Sequence, residues 1–285
     1  MIKRLVKVDQ SWIPSQKGYS MYIRPTFIAT TPTLGVSRPS SALLYVIMSP
    51  VGPYYRSGFN PVRIKAEVPP PSPPSRCVFD PLPPQDRYVR AWPGGTGDCK
   101  VGGNYAPTIA PQEEAAQQGF NQVLWLFGPE QEITEVGTMN LFFYMRGEDG
   151  VNELVTAPLN DIVLPGVTRD SIIHLARQNK IRVSERRQTM QELIRAMDAG
   201  RVLEAFGAGT ACVVSPVKEI NFKGTAYDIP LGKEPGSKSG PMAQFFWDEL
   251  TKIQVRAARR QPRLYLYICC AALWTAAAAA ACCCA

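Results

Sequence analysis

The spacing of apolar and polar residues predicts strands followed by a helix in the middle of the chain. Gln122–Phe127 is a mostly apolar run, which indicates a buried strand. Leu141–Met145 and Glu153–Thr156 are strand-like and flank the turn Glu148-Asp149-Gly150, which is the arrangement of a β-hairpin. After this hairpin the pattern changes, and Arg169–Gln178 is predicted to form a helix.

Further helices are predicted on both sides of this central stretch, in Met1–Val8, Gln112–Gly119, Gln191–Ala199 and Pro241–Gln254. One of them has a strong start signal. Thr189 and Glu192 have the spacing of a capping box, and Gly200 has the position of a glycine that ends a helix. The limits of that helix are therefore better defined than those of the others.

Strands are also predicted near the beginning of the chain, at Met21–Pro25 and Ala42–Met48. The segment between them, Thr30–Ser40, is rich in Thr, Pro and Gly and is predicted to be a loop. A second run of small residues, Phe206–Pro216, is predicted to be another loop.

The central stretch also carries candidate chemistry. Glu135 lies at the start of an apolar run, and a helix start follows near Thr168. A carboxylate can pair with a cationic ring nitrogen, and a helix N-terminus can bind a phosphate. Residues 133–169 therefore have the groups needed to hold the two ends of a cofactor.

Composition and charge indicate a globular protein. The chain has 285 residues, of which 45% are hydrophobic and 19% are charged, and this is not a disordered composition. The formal net charge of +7 could suggest nucleic acid. The basic residues are scattered, however, and their densest group, at Arg256–Arg263, has no nucleic-acid-binding motif beside it. We therefore expect no nucleic-acid partner.

Cysteine and histidine usage excludes several kinds of site. Five of the eight cysteines lie in the last seventeen residues, and Cys77, Cys99 and Cys212 are far apart, so a disulfide scaffold is not expected. A reducing compartment agrees better with this pattern. With His174 as the only histidine, neither a Ser-His-Asp triad nor a metal site is expected. No signal peptide is visible in Met1–Lys7.

Two segments have unusual composition. Val68–Asp86 is rich in proline, which is incompatible with a strand inside a sheet. It is either a proline-rich binding loop or a stretch outside the mature sequence, such as translated intron, and the second interpretation is favoured. Leu264–Ala285 has no charged residue and is long enough to span a membrane. Because much of it is alanine and cysteine, it is interpreted as a spurious tail, and no membrane partner is expected.

A glycine-rich stretch, Pro93–Thr108, surrounds the single lysine Lys100. Glycines let a backbone pass close to a ligand. On composition alone, a surface turn with a solvated lysine is the better interpretation.

A resemblance to a known family changes that interpretation. The pattern Glu135-x-Gly137-x-x-Asn140, followed by Leu154-x-Thr156 and Leu164-x-Gly166-Val167-x-Arg169, resembles the signature of the class IV, pyridoxal-phosphate-dependent aminotransferases. The runs Glu-Val-Gly-Thr-Met-Asn and Leu-Pro-Gly-Val-Thr-Arg resemble the branched-chain amino-acid aminotransferases in particular. The resemblance extends from about Ile2 to Gln254, and a pattern of several parts is far more specific than one short motif.

The resemblance implies a fold of the α+β class, the fold type IV of pyridoxal-phosphate enzymes. It implies a large domain with a mixed β-sheet or pseudo-barrel surrounded by helices, and only part of a small α/β domain. The expected divisions are a small-domain remnant at 1–51, a linker at 52–61, a large cofactor-binding domain at 62–254 that includes the insertion 68–86, and an atypical tail at 255–285. The chain is thus expected to be truncated at its N-terminus. Cys212-Val213-Val214-Ser215 resembles the cytosolic isoform, but Ser215 replaces the second thiol of a redox CxxC pair.

The resemblance also implies roles around the cofactor pyridoxal 5'-phosphate. Lys100, followed by Gly-Gly-Asn-Tyr, would form the Schiff base and act as general acid and base. Glu135 would pair with the pyridinium nitrogen, and Tyr105 would contact the ring oxygen or the substrate. The expected phosphate contacts are Val167, Thr168 and Thr210.

For the substrate, the resemblance implies that Tyr22 and Arg24 engage a carboxylate, for which the fork of an arginine is well suited. Thr138 and Ala211 would contact the α-carboxylate. Leu34 and Val36 would reach the apolar pocket of a neighbouring subunit in a homodimer.

These roles imply transfer of the amino group of L-leucine, L-isoleucine or L-valine to 2-oxoglutarate, which gives L-glutamate. The expected compartment is the cytoplasm, with the mitochondrion as the alternative. Two other hypotheses remain open. The chain could be an inactive fragment or isoform that acts only by association, or another class IV enzyme, such as a D-amino-acid aminotransferase or an aminodeoxychorismate lyase.

Overall fold

The computed structural model describes residues 1–16, 18–54, 59–67, 88–232, 234 and 236–260. The proline-rich segment 68–86, residues 55–58 of the expected linker and residues 261–285 of the tail lie outside the described residues. The chain divides into two compact units. One contains the described residues of Met1–Gly58 and those from Gln254 onward, and the other is Phe59–Ile253.

The first unit contains the helix α1 (Ile2–Val8) and an antiparallel pair of strands, β1 (Ser20–Ala29) and β2 (Ala42–Val51). Both strands were predicted, but each is several residues longer than expected. Pro25 lies inside β1, which is possible because β1 pairs with β2 alone among the described strands. The loop between the two strands lies where the sequence predicts it.

The second unit is built on one sheet of nine strands among the described residues. Its strands are β3 (Val62–Glu67), β4 (Gln122–Phe127), β5 (Glu132–Val136), β6 (Met139–Arg146), β7 (Asn152–Thr156), β8 (Arg182–Glu185), β9 (Val202–Gly209), β10 (Val213–Phe222) and β11 (Thr225–Asp228). The strand β4 has the predicted limits, and the predicted hairpin is the pair β6 and β7.

Six of these strands close into a barrel in the order β10-β3-β4-β5-β6-β9, because β9 pairs with both β6 and β10. The pairs β3–β10 and β3–β4 are parallel, whereas the other four are antiparallel. The strands β7 and β8 extend the sheet from β6, and β11 extends it from β10. The expected pseudo-barrel is therefore confirmed.

The prediction of a small-residue loop at Phe206–Pro216 is wrong. Most of this run belongs to β9 and β10, and only residues 210–212 form the turn between them. The small residues are needed for packing. A side chain at Gly207 would come within 2.9 Å of the Cε atom of Met139, on the neighbouring strand.

Helices cover the barrel. They are α2 (Ile109–Gln117), α3 (Val167–Gln178), α4 (Met190–Asp198) and α5 (Pro241–Arg260). The capping box at the start of α4 is confirmed, and Gly200 has the positive φ of +63° typical of a residue just beyond a helix. The helix α5 continues past its predicted end at Gln254.

A large apolar core of the second unit lies between the barrel and the helices α3 and α5. Phe206 stands at its centre, with its ring centroid 5.4 Å from that of Phe142 and 5.8 Å from that of Phe246. All three rings are fully buried. Burial of such large side chains contributes much of the stability of a domain. None of the helices in the described part of the chain has the length and apolar composition needed to cross a membrane.

Candidate active site

The carboxylate of Glu135 is the most deeply buried acid of the barrel. Glu135 lies on β5, directly opposite Asn140 of β6, and only 2% of its surface is exposed. Its Oε1 atom accepts a hydrogen bond from the side-chain amide of Asn140 at 3.0 Å and from the backbone N–H of Leu164 at 3.1 Å. Its Oε2 atom lies 2.7 Å from a guanidinium nitrogen of Arg90. The orientation of this carboxylate is thus fixed from three sides.

Burial raises the pKa of Glu135 from its ordinary value of 4.5 to about 7. The positive charges of Arg90, Lys100 and Arg169, together with the hydrogen bond from Leu164, lower the pKa and offset part of this rise. Lys100 is thus one of three positive charges that act on this carboxylate.

The loop that carries Lys100 is anchored to the loop that precedes α3. The backbone N–H of Asp98 donates to the carbonyl of Asp161 at 3.1 Å. A side chain at Gly97 would collide with Ala91 and with the backbone of Asp161 and Ile162, at 2.6 to 2.7 Å. Glycine is required here by this close approach.

The buried side chain of Asn104 stabilises the same loop by hydrogen bonds. Its side-chain amide donates to the carbonyl of Cys99 at 2.7 Å and to that of Thr96, and its side-chain oxygen accepts a hydrogen bond from the Thr96 hydroxyl. Lys100 comes directly after Cys99 in the chain, and its side chain is exposed. Its Nζ atom donates to the hydroxyl of Tyr105 at 3.1 Å and lies over the tyrosine ring. The structure therefore brings Lys100 and Tyr105 into contact, as expected for neighbours in one site.

The start of α3 lies next to Glu135. Gly166 is the N-cap residue, and Val167 and Thr168 form the first turn. Asn140, which binds Glu135, also donates to the carbonyl of Leu164 at 2.9 Å and connects the acid to this helix start. The helix begins two residues earlier than predicted.

The first turn of α3 has the features of an anion site. A side chain at Gly166 would collide with the side-chain oxygen of Asn140, so the backbone passes close to that residue. Arg169 is 3% exposed, and its Nε atom has no hydrogen-bond partner among the described residues, although its terminal nitrogen binds Ala157 and Glu185. A buried, unpaired donor at the positive end of a helix favours an anion.

Two turns of the barrel contain the remaining candidates of the second unit. Thr138 lies in the turn between β5 and β6, and Thr210 and Ala211 lie in the turn between β9 and β10. All three are exposed. Because Asn140 pairs with Ala208, the two turns extend from adjacent strands at the same end of the barrel. The two turns are therefore neighbours, so residues in both of them can contact one ligand.

Cys212 connects these same two turns. Its thiol lies 3.1 Å from the sulfur of Met139, and burial raises its pKa to about 12. A thiol with such a pKa remains protonated at neutral pH, and a protonated thiol is a poor nucleophile. This side chain therefore packs rather than reacts.

Two of the four candidates in the first unit, Tyr22 and Arg24, contact each other. Arg24 donates to the hydroxyl of Tyr22 at 2.7 Å, and its guanidinium lies over the tyrosine ring. Both line a concavity of about 460 Å³ on one face of the β1–β2 pair. Leu34 and Val36 lie in the loop between these strands and are fully exposed.

Sequence reasoning missed three residues that hold the site together, namely Arg90, Asn104 and Asn140. Asn104 and Asn140 stand inside the motifs that carry the family resemblance, and Arg90 lies ten residues before Lys100. For the two asparagines, their place in these motifs was the available signal, because their partners are close to them in sequence. The contact of Arg90 with Glu135 joins segments that are far apart in the chain, which no local pattern encodes.

Comparison with known proteins gives matches over most of the chain. The family model described as amino-transferase class IV matches residues 80–220. The mouse cytosolic branched-chain-amino-acid aminotransferase is 50% identical over 255 residues, covering 89% of this chain and 60% of that protein. The mitochondrial enzyme of Schizosaccharomyces pombe is 48% identical over 246 residues, covering 85% of this chain and 53% of that protein.

A solved structure shares the fold. The branched-chain amino acid aminotransferase of Thermobaculum terrenum, determined in its PLP-form, has a TM-score of 0.62 at 20% identity, covering 88% of this chain and 68% of that chain. The present chain spans between about half and three fifths of the length of the two sequence relatives. The shared motifs, the closed barrel and the sequence matches lead to one conclusion: this chain is similar to the class IV aminotransferases, in sequence over residues 80–220 and in its fold.

Proposed function

We propose that this chain acts as a branched-chain amino-acid aminotransferase, which transfers the amino group of L-leucine, L-isoleucine or L-valine to 2-oxoglutarate. The observation that supports the proposal is that the loop of an exposed lysine and the segment before a helix start are both bonded to the surroundings of one buried carboxylate. These three groups are connected through Arg90, Asn140 and Leu164. The sequence relatives have the same activity in their names, which supports the proposal.

The residues present fit pyridoxal 5'-phosphate as the cofactor. The start of α3 and the unpaired Nε atom of Arg169 suit a phosphate, and Glu135 suits a protonated ring nitrogen. Val167, Thr168 and Thr210 are the proposed phosphate contacts. When bound, this cofactor supplies an electron sink beside the substrate Cα atom.

The proposed role of Lys100 is to bind the cofactor aldehyde through its Nζ atom, and to carry a proton to and from the substrate when that atom is free. The hydroxyl of Tyr105 lies 3.1 Å from this Nζ atom and orients it. Glu135 has the role of keeping the ring nitrogen protonated.

Two groups of residues are proposed to bind the substrate. Thr138 and Ala211 lie in neighbouring turns and are assigned to the α-carboxylate. Tyr22 and Arg24 are assigned to the carboxylate of the charged substrate, since a guanidinium can bind both oxygens of a carboxylate. Leu34 and Val36 are assigned to the apolar pocket of a second subunit in a homodimer, and the cytoplasm is the proposed compartment.

Chemical trapping tests the cofactor site directly. The purified chain is incubated with pyridoxal 5'-phosphate and treated with borohydride, which makes a bond between an amine and the aldehyde permanent. Peptide mapping then locates the label. We expect the label on Lys100. The label should be absent in Lys100→Arg and unchanged in the control Lys218→Arg, which alters an exposed lysine of β10. A label elsewhere, or none on a folded chain, would refute the site.

Substrate assays separate the competing functions. Turnover of L-leucine with 2-oxoglutarate supports the proposal, whereas turnover of D-alanine without L-leucine would assign the chain to a different class IV enzyme. A chain that takes up the label on Lys100 but turns over neither substrate would favour a role by association.

A further inference from the structure

Arg90 is a buried charged residue beside Glu135, and the proposed function gives it no contact with cofactor or substrate. It is 7% exposed, although arginine is rarely buried without a partner. One terminal nitrogen of its guanidinium lies 2.7 Å from Oε2 of Glu135. Its terminal nitrogens also donate to two backbone carbonyls, that of Ile162 at 2.8 Å and that of Gly97 at 3.3 Å.

These contacts join three segments of the chain. Glu135 belongs to the barrel strand β5, Gly97 to the loop that carries Lys100, and Ile162 to the loop that leads into α3. A planar guanidinium with several fixed donors can hold three such acceptors at once, whereas the compact ammonium of a lysine cannot. Arg90 therefore connects the acid, the lysine loop and the loop before α3.

We propose that Arg90 is a positioning residue, which keeps the Glu135 carboxylate ionised and aimed at the cofactor ring while it fixes the lysine loop beside that carboxylate. The assignment of the ring rests on the proposed function. The link between Arg90 and the charge of Glu135 stands on the geometry of the chain itself.

The hydrogen bonds to Glu135 agree with this role. A carboxylate can accept about four hydrogen bonds. Among the described residues, Asn140 and Leu164 bind Oε1, and Arg90 binds Oε2. This arrangement leaves one acceptor position on Oε2, which a protonated ring nitrogen can occupy.

The surrounding charges agree as well. The charged groups that face Glu135 are Arg90, Lys100 on the glycine-rich loop and Arg169 on α3. Among the described residues, Arg90 alone makes a direct ion pair with Glu135, and Arg169 is paired with Glu185. Burial of Glu135 favours the neutral acid, and a neutral acid cannot pair with a cation. Loss of Arg90 would therefore remove the main opposition to protonation.

The test replaces Arg90 by methionine, which has a similar length and no charge, and by lysine, which keeps the charge. Arg63→Met is the matched control, because Arg63 also forms an ion pair with a glutamate, Glu219, in the same unit. The titration of Glu135 is followed by infrared difference spectroscopy without cofactor. In each background, Glu135→Gln identifies the carboxyl band.

We expect Arg90→Met to raise the titration midpoint of Glu135 by at least about one pH unit. Arg90→Lys should restore part of the shift, and Arg63→Met should leave the midpoint unchanged. A midpoint that is the same in Arg90→Met and the unaltered chain would overturn the proposal.

If Arg90→Met does not fold, the double variant Arg90→Met/Glu135→Gln provides a second test. This variant removes both charges, so a buried unpaired charge no longer destabilises the chain. Recovery of folding in the double variant supports the ion-pair role. If neither variant folds, Arg90 acts only through its carbonyl contacts and the proposal is refuted.

A cofactor titration distinguishes this inference from the proposed function. In the unaltered chain, pyridoxal 5'-phosphate should produce a visible absorbance band, and in Arg90→Met its dissociation constant at pH 7.5 should rise about tenfold, for a loss of ~1.4 kcal/mol. If the unaltered chain produces no band while Arg90→Met still shifts the Glu135 midpoint, the proposed function fails and the coupling of Arg90 to Glu135 stands.

Discussion

At the scale of single residues, the site depends on a buried carboxylate whose charge is favoured by some neighbours and disfavoured by burial. Glu135 has lost nearly all contact with solvent, yet an arginine and two neutral donors surround it. Burial disfavours its charge, and these partners favour it. The balance places its pKa at about 7, close to the pH at which an enzyme works.

This balance predicts a pH dependence of stability. Because burial raises the pKa of Glu135 from 4.5 to about 7, the folded chain binds a proton more tightly than the unfolded chain between these values. The free energy of unfolding should therefore fall as the pH rises through this window, by on the order of 3 kcal/mol from this group. Glu135→Gln should remove that fall.

The measurement is urea unfolding of both chains, without cofactor, from pH 4.5 to 7.5. Burial also raises the pKa values of Glu67, Glu132 and Glu204, so a part of the slope should remain in the variant. Equal slopes in the two chains would contradict the raised pKa of Glu135.

A second prediction concerns the hydroxyl of Tyr105. Tyr105→Phe removes the acceptor that orients Lys100, so transamination should fall about tenfold, while borohydride labelling of Lys100 continues. Tyr88→Phe is the control, because the Tyr88 hydroxyl binds Glu114 on α2. An equal loss of activity in both variants would mean that Tyr105 contributes only to general stability.

At the scale of elements, short sequence motifs correctly predicted a helix start and a turn. The capping box Thr189–Glu192 gave the start of α4, and Glu148-Asp149-Gly150 gave the turn between β6 and β7. Both depend on residues close together in the chain. The run 206–216 was misassigned because its small residues are typical of loops, whereas here they leave room for Met139 on the adjacent strand. Packing against a distant strand overrode local propensity.

The lysine loop offers a test of close packing at this scale. Gly97→Ala would press a methyl group against Ala91 and the backbone of residues 161 and 162, and should cost about 1–3 kcal/mol in the free energy of unfolding. It should also displace Lys100 and reduce its labelling. Gly103→Ala, in the same loop but facing open space, should change stability by less than about 1 kcal/mol. Equal stability losses would refute the close contact.

At the scale of the whole molecule, the barrel explains why the site could be predicted only in part. The motifs identified Lys100, Glu135 and the start of α3, because each lies in a short recognisable run. Their mutual arrangement depends on the pairing of β9 with two strands and on the contacts of Arg90, which join residues far apart in sequence. No single window of the sequence contains that information.

Closure of the barrel gives the last prediction. Gly207 of β9 lies against Met139 of β6, so Gly207→Ala should reduce the free energy of unfolding by about 1–3 kcal/mol. In a Met139→Ala background the same change should cost less than half as much, because the space has been vacated. Urea unfolding of the four chains measures this coupling. Strictly additive losses would mean that the two residues do not compete for space.

The parallel pairing of β3 with β10 has a consequence for how the protein is made. The strand β3 leaves the ribosome long before its partner Val217–Asn221 is made. Until then the N–H and carbonyl groups along one edge of β3 lack their strand partner. The nascent protein must therefore protect that edge while the intervening residues are synthesised, and the ring can close only after Val217–Asn221 has been made.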